Sequence, residues 1–213
     1  MNTEKMTIHK ALCELKILDD RILKAQSAMP FVTCQKKQAD TVGGVKLETY
    51  QNQVNAAYQK TRDLIARGNA IKRAVVLSNA KTTVVISDFI YTVAEAIYMK
   101  EHGIAYYKCL LETLESQYAA ATKKAEQQNG EKLEARADDY IKSVYGTTSL
   151  KNISDEMNHA RETFIESQTF VVIDPLDIKK RMEELEKFIT DFTVNVDAAL
   201  SVSNATTEIE ISY

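Results

Sequence analysis

The sequence predicts a mainly α fold (α+β): long antiparallel helices with coiled-coil-like packing, tied by a small antiparallel sheet. Three observations predict it. Only 6 Gly and 2 Pro interrupt 213 residues, which favours long unbroken helices. Apolar residues recur three and four apart along several stretches, the spacing of one buried helix face. The phrase Ser-Asn-Ala-x-Thr also occurs twice, at 78–82 and 203–207, each time between a helical pattern and a short alternating one.

The first helix is expected from about Thr7 to Met29, with Ile8, Leu12, Leu15, Leu18, Ile22 and Ala25 as its stripe. Pro30 stops it. Residues 30–46 read as a loop whose most flexible point is Gly43-Gly44. A second helix follows from Leu47 to Asn79, carrying Leu47, Tyr50, Val54, Ala57, Leu64, Ile65, Ile71 and Val75. At 1.5 Å per residue it is roughly 45–50 Å long, and Gly68 inside it costs about 1 kcal/mol relative to Ala. Thr82, Val84 and Ile86 alternate with Thr83, Val85 and Ser87 as in a half-buried strand. Ser87-Asp88 is a turn, and Phe89-Ile90-Tyr91 a short returning strand.

Thr92 and Glu95 have the spacing of a capping box, so a third helix begins there. Its stripe is Ile97, Ile104, Tyr107, Leu111, Leu114, Tyr118 and Ala121, and Asn129-Gly130 is its stop. Shorter helices are expected over 131–145, ended by Gly146, and over 154–167. "TFVVID" then predicts a strand near 169–173. Asp174-Pro175 signals a helix start, with Asp as cap and Pro in the first position. The last helix uses Ile178, Met182, Leu185, Ile189, Phe192, Val196 and Leu200 and leads into a strand at 206–212.

The repeat holds without gaps at an offset of 125: Ser78/Ser203, Asn79/Asn204, Ala80/Ala205, Thr82/Thr207, Ile86/Ile211 and Ser87/Ser212 are identical. Asn79, Thr82, Asn204 and Thr207 mark it as structural, since Asn tolerates left-handed geometry at a helix end. The two copies, 64–87 and 189–212, predict two strands paired edge to edge in one elongated helical domain spanning 1–213. Two unrelated helix-to-strand transitions drawing on the same chemistry are the alternative.

Composition sets limits on class. Hydrophobic residues are 45% and charged ones 27%, the balance of a folded chain. No apolar run reaches the roughly 20 residues of a membrane span, and "MNTEKMTIHK" lacks the apolar core of a signal peptide. An intracellular protein is therefore expected. Cys13, Cys34 and Cys109 are widely spaced, so neither a disulfide framework nor a zinc site is expected. Net charge is -3, yet residues 1–81 carry 14 Lys+Arg against 7 Asp+Glu, and residues 82–213 carry 13 against 23. That asymmetry suits internal packing, head-to-tail association or an anion site, and is too weak for a nucleic-acid surface.

Catalytic motifs are missing: there is no G-x-G-x-x-G, Walker loop or G-x-S-x-G. Glu156-Met157-Asn158-His159 is a lone E-x-x-H, without the second copy and extra glutamates of a di-iron bundle, so no metal or cofactor is expected. Lysines in apolar stripes are more informative. Lys72 falls between Ile65 and Val76, and Lys100 between Ile97 and Ile104. Two ammonium groups facing one seam repel unless an anion lies between them. Lys72, Arg73, Lys100 and Tyr107 are thus the candidate anion-binding residues. A carboxylate such as Asp197, or snorkelling to solvent, is the alternative. Long stripes and 10 Tyr against 6 Phe also suit association between subunits.

The stretch "RGNAIKRAVVLSNAKTTVVISDFIYTVAEAIYMK" (67–100) resembles helical proteins of bacteriophages and prophages of low-GC bacteria, in which a helix ending in Asn-Ala leads through a hairpin into a Thr-Val-x-Glu-Ala helix. It is distantly similar to shorter helical proteins labelled septicolysin-like. The likeness is most specific over about 64–120, and "LSVSNATTEIEISY" fits the phage group. The resemblance implies phage origin and residence in the bacterial host cytoplasm or a virion; it carries over no catalytic residues and leaves the activity open. Two functions are expected: a non-enzymatic, self-associating structural or interaction component, homo-oligomeric or joined to other phage proteins; or a binder that sequesters an anionic nucleotide signal.

Overall fold

The computed structural model describes residues 3–151 and 154–213. In chain order it contains β1 (Thr3–Thr7), α1 (Ile8–Ser27), β2 (Thr41–Val42), β3 (Val45–Lys46), α2 (Leu47–Asn79), β4 (Thr83–Ile86) and β5 (Phe89–Thr92). Then come α3 (Val93–Tyr98), a π-turn (Met99–Gly103), α4 (Ile104–Gln128), α5 (Gly130–Tyr145), α6 (Asp155–Gln168), α7 (Ile178–Thr206) and β6 (Glu208–Ser212). The fold is mainly α with small antiparallel sheets, as the sequence predicts. Two compact units form, Met1–Gly103 with Asp191–Tyr213, and Ile104–Thr190.

The sheets differ from expectation in their pairing. Residues 82–87 and 206–212 do not pair with each other: β4 pairs with β5, and β6 pairs with β1. β1 was legible only as a polar terminus, because Met6 is the single large apolar residue of its five. Residues 169–173 form no strand, since no neighbouring strand pairs with them. Gly43 and Gly44, at φ +56° and +83°, are the turn of the β2–β3 hairpin, the geometry for which the Gly-Gly pair is selected.

In the first unit α1 and α2 run antiparallel, and Tyr50 donates its hydroxyl hydrogen to the carbonyl of Pro30 at 2.9 Å. Ile8, Ala11 and Leu18 of α1, Ile71 and Val75 of α2, and Met6, Ile209 and Ile211 of the strands form one buried cluster. Each such Leu or Ile contributes about 1.5–3 kcal/mol by leaving water. A second set, Val84, Ile86, Val93, Ala96, Phe192 and Val196, is also buried. Within it Tyr91 meets Phe192 edge to face, ring centroids 5.7 Å apart.

These two halves of the unit are the repeat, completed differently from expectation. α2–β4 pairs with β5–α3, and α7–β6 pairs with β1–α1. Thr82 donates its backbone N–H to the carbonyl of Ser78 (2.8 Å), as Thr207 does to that of Ser203 (2.9 Å). Val93 donates to the Thr82 carbonyl at 2.8 Å, and Ile8 to the Thr207 carbonyl at 3.0 Å. Thr92 and Thr7 both cap the helix that follows, through bonds from Glu95 N–H and Lys10 N–H. The second copy is therefore assembled from the two ends of the chain. Asn79 and Asn204 are not left-handed, for Ser87 and Asp177 are the positive-φ residues other than glycine. Bonds between backbone groups shape the transition instead.

The second unit is helical. The start of α7 runs antiparallel to α4: Tyr107 meets Phe188 (centroids 4.9 Å) and Lys179 lies 5.5 Å from the ring of Tyr118. α5 buries Leu133, Ala137 and Ile141, and Tyr140 stacks on Phe164 of α6 at 4.6 Å. Arg161 donates to Glu134 (2.7 Å) and Asp138 (2.8 Å), with Glu134 the chief cause of its raised pKa. Two helix boundaries depart from the sequence reading. α7 begins at Ile178 rather than at Pro175, because Asp177 takes φ +54°. The Asp174 carboxylate reaches past that turn to accept from Ile178 N–H at 2.9 and 3.0 Å. The third predicted helix is broken by the π-turn, where buried Gly103 gives room to Met99; a Cβ there would collide with the Met99 sulfur.

Candidate functional site

Two places in the first unit gather polar chemistry or open surface: a clamp around Arg67 and a trough beside β4.

Arg67 lies three residues after Leu64 and four before Ile71, on the buried side of α2. Its Nε bonds to Glu14, and its Nη2 donates to both Glu14 and Glu4 at 2.9 Å. Nη1 bonds to the Tyr213 hydroxyl, whose ring centroid is 4.9 Å from the guanidinium carbon. One side chain thereby joins α1, α2, β1 and the residue after β6. The hydrogen bond from Arg67 is the main reason Glu4 titrates below its ordinary 4.5. Bonding to Glu14 is the main reason the guanidinium pKa is raised. Four of the five N–H donors of this cation are engaged, so its chemistry is that of a fastener.

The predicted anion-site residues lie on three elements, Lys72 and Arg73 on α2, Lys100 in the π-turn and Tyr107 on α4. Lys72 and Arg73 are exposed. The stripe buries Ile71 and Val75, and Lys72 lies one 100° step beyond it. Lys100 is held by Asp197, the carboxylate weighed as the alternative. Tyr107 belongs to the other unit, against Phe188. Asn79 and Thr82 lie at the helix-to-strand junction of one copy of the repeat and Asn204 and Thr207 at that of the other, where Thr82 and Thr207 carry the backbone bonds described above. Glu156 and His159 lie on α6, and among the described residues no group of three His, Cys, Asp or Glu could hold a metal.

The trough, about 560 Å³, runs between β4 and α7. Thr82, Thr83, Val84, Val85 and Ser87 line one wall; Asn195, Ala198, Ala199, Val202, Ser203, Thr206 and Thr207 line the other. None is charged, in a chain that is 27% charged. Ser87 sits at φ +56° in the two-residue turn joining β4 to β5, the positive φ that tight hairpins demand. Asn195 Nδ2 is 3.5 Å from Ser87 Oγ across one end. At the rim of the trough Val85 is 64% exposed, and its cross-strand partner Ile90 is 74% exposed.

No family model, curated protein or solved structure matches the chain.

Sequence reasoning missed both places. Arg67 was visible as a cation inside the Leu64–Ile71 stripe. The trough had a weaker signal: Thr83-Val84-Val85-Ile86 has no charged residue on either face, whereas a strand with one solvated face usually alternates.

Proposed function

We propose that this chain is a non-enzymatic, self-associating helical protein of phage origin that serves as a structural or interaction component. One observation carries the reading. Among the described residues eighteen apolar side chains are buried, while twenty-five large ones are exposed. Some of them are neighbours, as in the cross-strand pair Val85–Ile90 and the run Phe170–Ile173; exposed apolar patches mark interaction surfaces, and association removes them from water. Light scattering on size-exclusion fractions tests the reading. A mass above 24.0 kDa that rises with loading concentration is expected; a strict monomer across the accessible range defeats it. Capture of an anionic nucleotide is the weaker reading, because Lys100 already has its carboxylate.

A further inference from the structure

Two features of this chain complement each other. The first is a free strand edge. Val93 donates its N–H to the carbonyl of Thr82, and counting on in twos from that bond makes Val84/Tyr91 and Ile86/Phe89 the pairs that exchange hydrogen bonds. The peptide groups of Thr83 and Val85 consequently point to the other edge of β4, the trough side. No backbone–backbone bond among the described residues engages them there. In the other half of the repeat the counterparts of Thr83 and Val85 are Glu208 and Glu210, charges of the kind that keep an edge from accepting another strand. β4 has no such guard.

The second feature is the segment Phe170–Ile173. It has the composition of a strand and is extended in exposure pattern: Phe170 and Val172 are 41% and 36% exposed, Val171 and Ile173 are 69% and 80%. Asn129 occupies one edge of it, donating from Nδ2 to the Phe170 carbonyl and accepting from the Phe170 N–H, both at 2.9 Å. In an extended chain the peptide groups of Val171 and Ile173 then face the opposite edge, and among the described residues no backbone–backbone bond engages them. A two-residue repeat of free donors and acceptors is thus present on both surfaces, and neither carries charge between Ser167 and Ile173 or along the trough.

We propose that Phe170–Ile173 of a second copy of this chain adds as a strand to the free edge of β4 and lies in the trough against α7. The added strand gives Thr83 and Val85 their missing backbone partners and covers the flank of Val85 with aliphatic side chains, as in strand-addition recognition. Reciprocal exchange closes a dimer; exchange with successive copies makes a ring or filament. This proposal rests on the self-association reading and supplies its contact.

The test uses the full chain with Val85→Lys and Val172→Lys variants, both surface changes, verified as folded by circular dichroism. Size-exclusion light scattering gives the wild-type association constant. Each variant alone is expected to associate at least tenfold more weakly. An equimolar mixture regains association, because Val85→Lys still offers an intact segment and Val172→Lys an intact trough. A wild type that associates while both variants match it overturns the proposal and leaves self-association standing. So does loss in Val85→Lys alone, which assigns the edge to a different occupant, or loss in both with no recovery on mixing. A monomeric wild type removes both readings.

Discussion

On the outer face of the β1–β6 pair, Lys5 and Glu210 stand opposite each other, 3.7 Å apart. At the same place on the β4–β5 pair stand Ile90 and Val85. Inside, the contrast is reversed. Arg67 with Glu4 and Glu14 fills one half; at the offset of 125 its counterpart is Phe192, which sits with Tyr91 in the other. One frame of backbone bonds therefore accepts a polar clamp or an aromatic cluster at the same internal position. The lesson concerns which features are fixed by the frame. Strand register and the Thr cap recur, as do buried aliphatics at Val84/Ile209 and Ile86/Ile211. The finish of each face is free, and only the half with a charged face is protected from adding a strand.

The largest effect expected from breaking this comparison is at the aromatic position. Phe192 is 2% exposed, and Phe192→Ala should cost about 3–5 kcal/mol in chemical denaturation, since truncation leaves a cavity as well as losing transfer energy. The loss should be insensitive to salt. A cost below about 1 kcal/mol contradicts the assignment of Phe192 to a packed core.

Arg67→Ala should follow, at roughly 2–3 kcal/mol, because it strands two carboxylates that are only partly exposed. Arg67→Lys recovers part of this, as an ammonium cannot make the two-pronged contact with Glu14. A double-mutant cycle with Glu14→Gln should show coupling, and added salt should reduce it, in contrast to Phe192→Ala. Additive effects in that cycle mean the clamp does not act as a unit.

How far these features were legible follows from the kind of signal each leaves. α2 matches its expected bounds, and the Thr92–Glu95 capping box forms as read, because helix faces and caps are written locally. The partner of a strand is not local. β1 has one apolar residue and lies at the opposite end of the chain from β6, so neither period nor proximity pointed to it. "TFVVID" had the composition of a strand without a partner in its own chain, and propensity alone cannot supply one. Lys72 sits a single 100° step outside the buried stripe of α2, and over thirty-three residues the edge of such a stripe is only loosely written in the sequence. Arg67, between Leu64 and Ile71, is better centred in that stripe and is the cation it holds.

The smallest effect is the acid limb of stability, and it separates the halves by cause. Glu4 is held below its ordinary 4.5 first by the Arg67 hydrogen bond. Glu95 is held below the same value first by the Thr92 backbone N–H, at 2.7 Å, and then by the Thr92 hydroxyl. A depressed carboxyl contributes stability that is complete above its unfolded pKa and is lost as pH falls through the folded one. Both contributions should therefore be present at neutral pH and fade below about 4.5. Glu95→Gln keeps an acceptor for Thr92 but removes the charge. It should be less stable than wild type at pH 7, lose that deficit progressively as the pH falls below 4.5, and respond little to salt, because backbone and hydroxyl donors rather than a distant cation hold the charge. Glu4→Gln should show the same convergence with a clear salt dependence at pH 7, since its partner is a guanidinium. Equal deficits at neutral and acid pH in either variant would mean that side-chain shape, not ionisation, is what the junction requires.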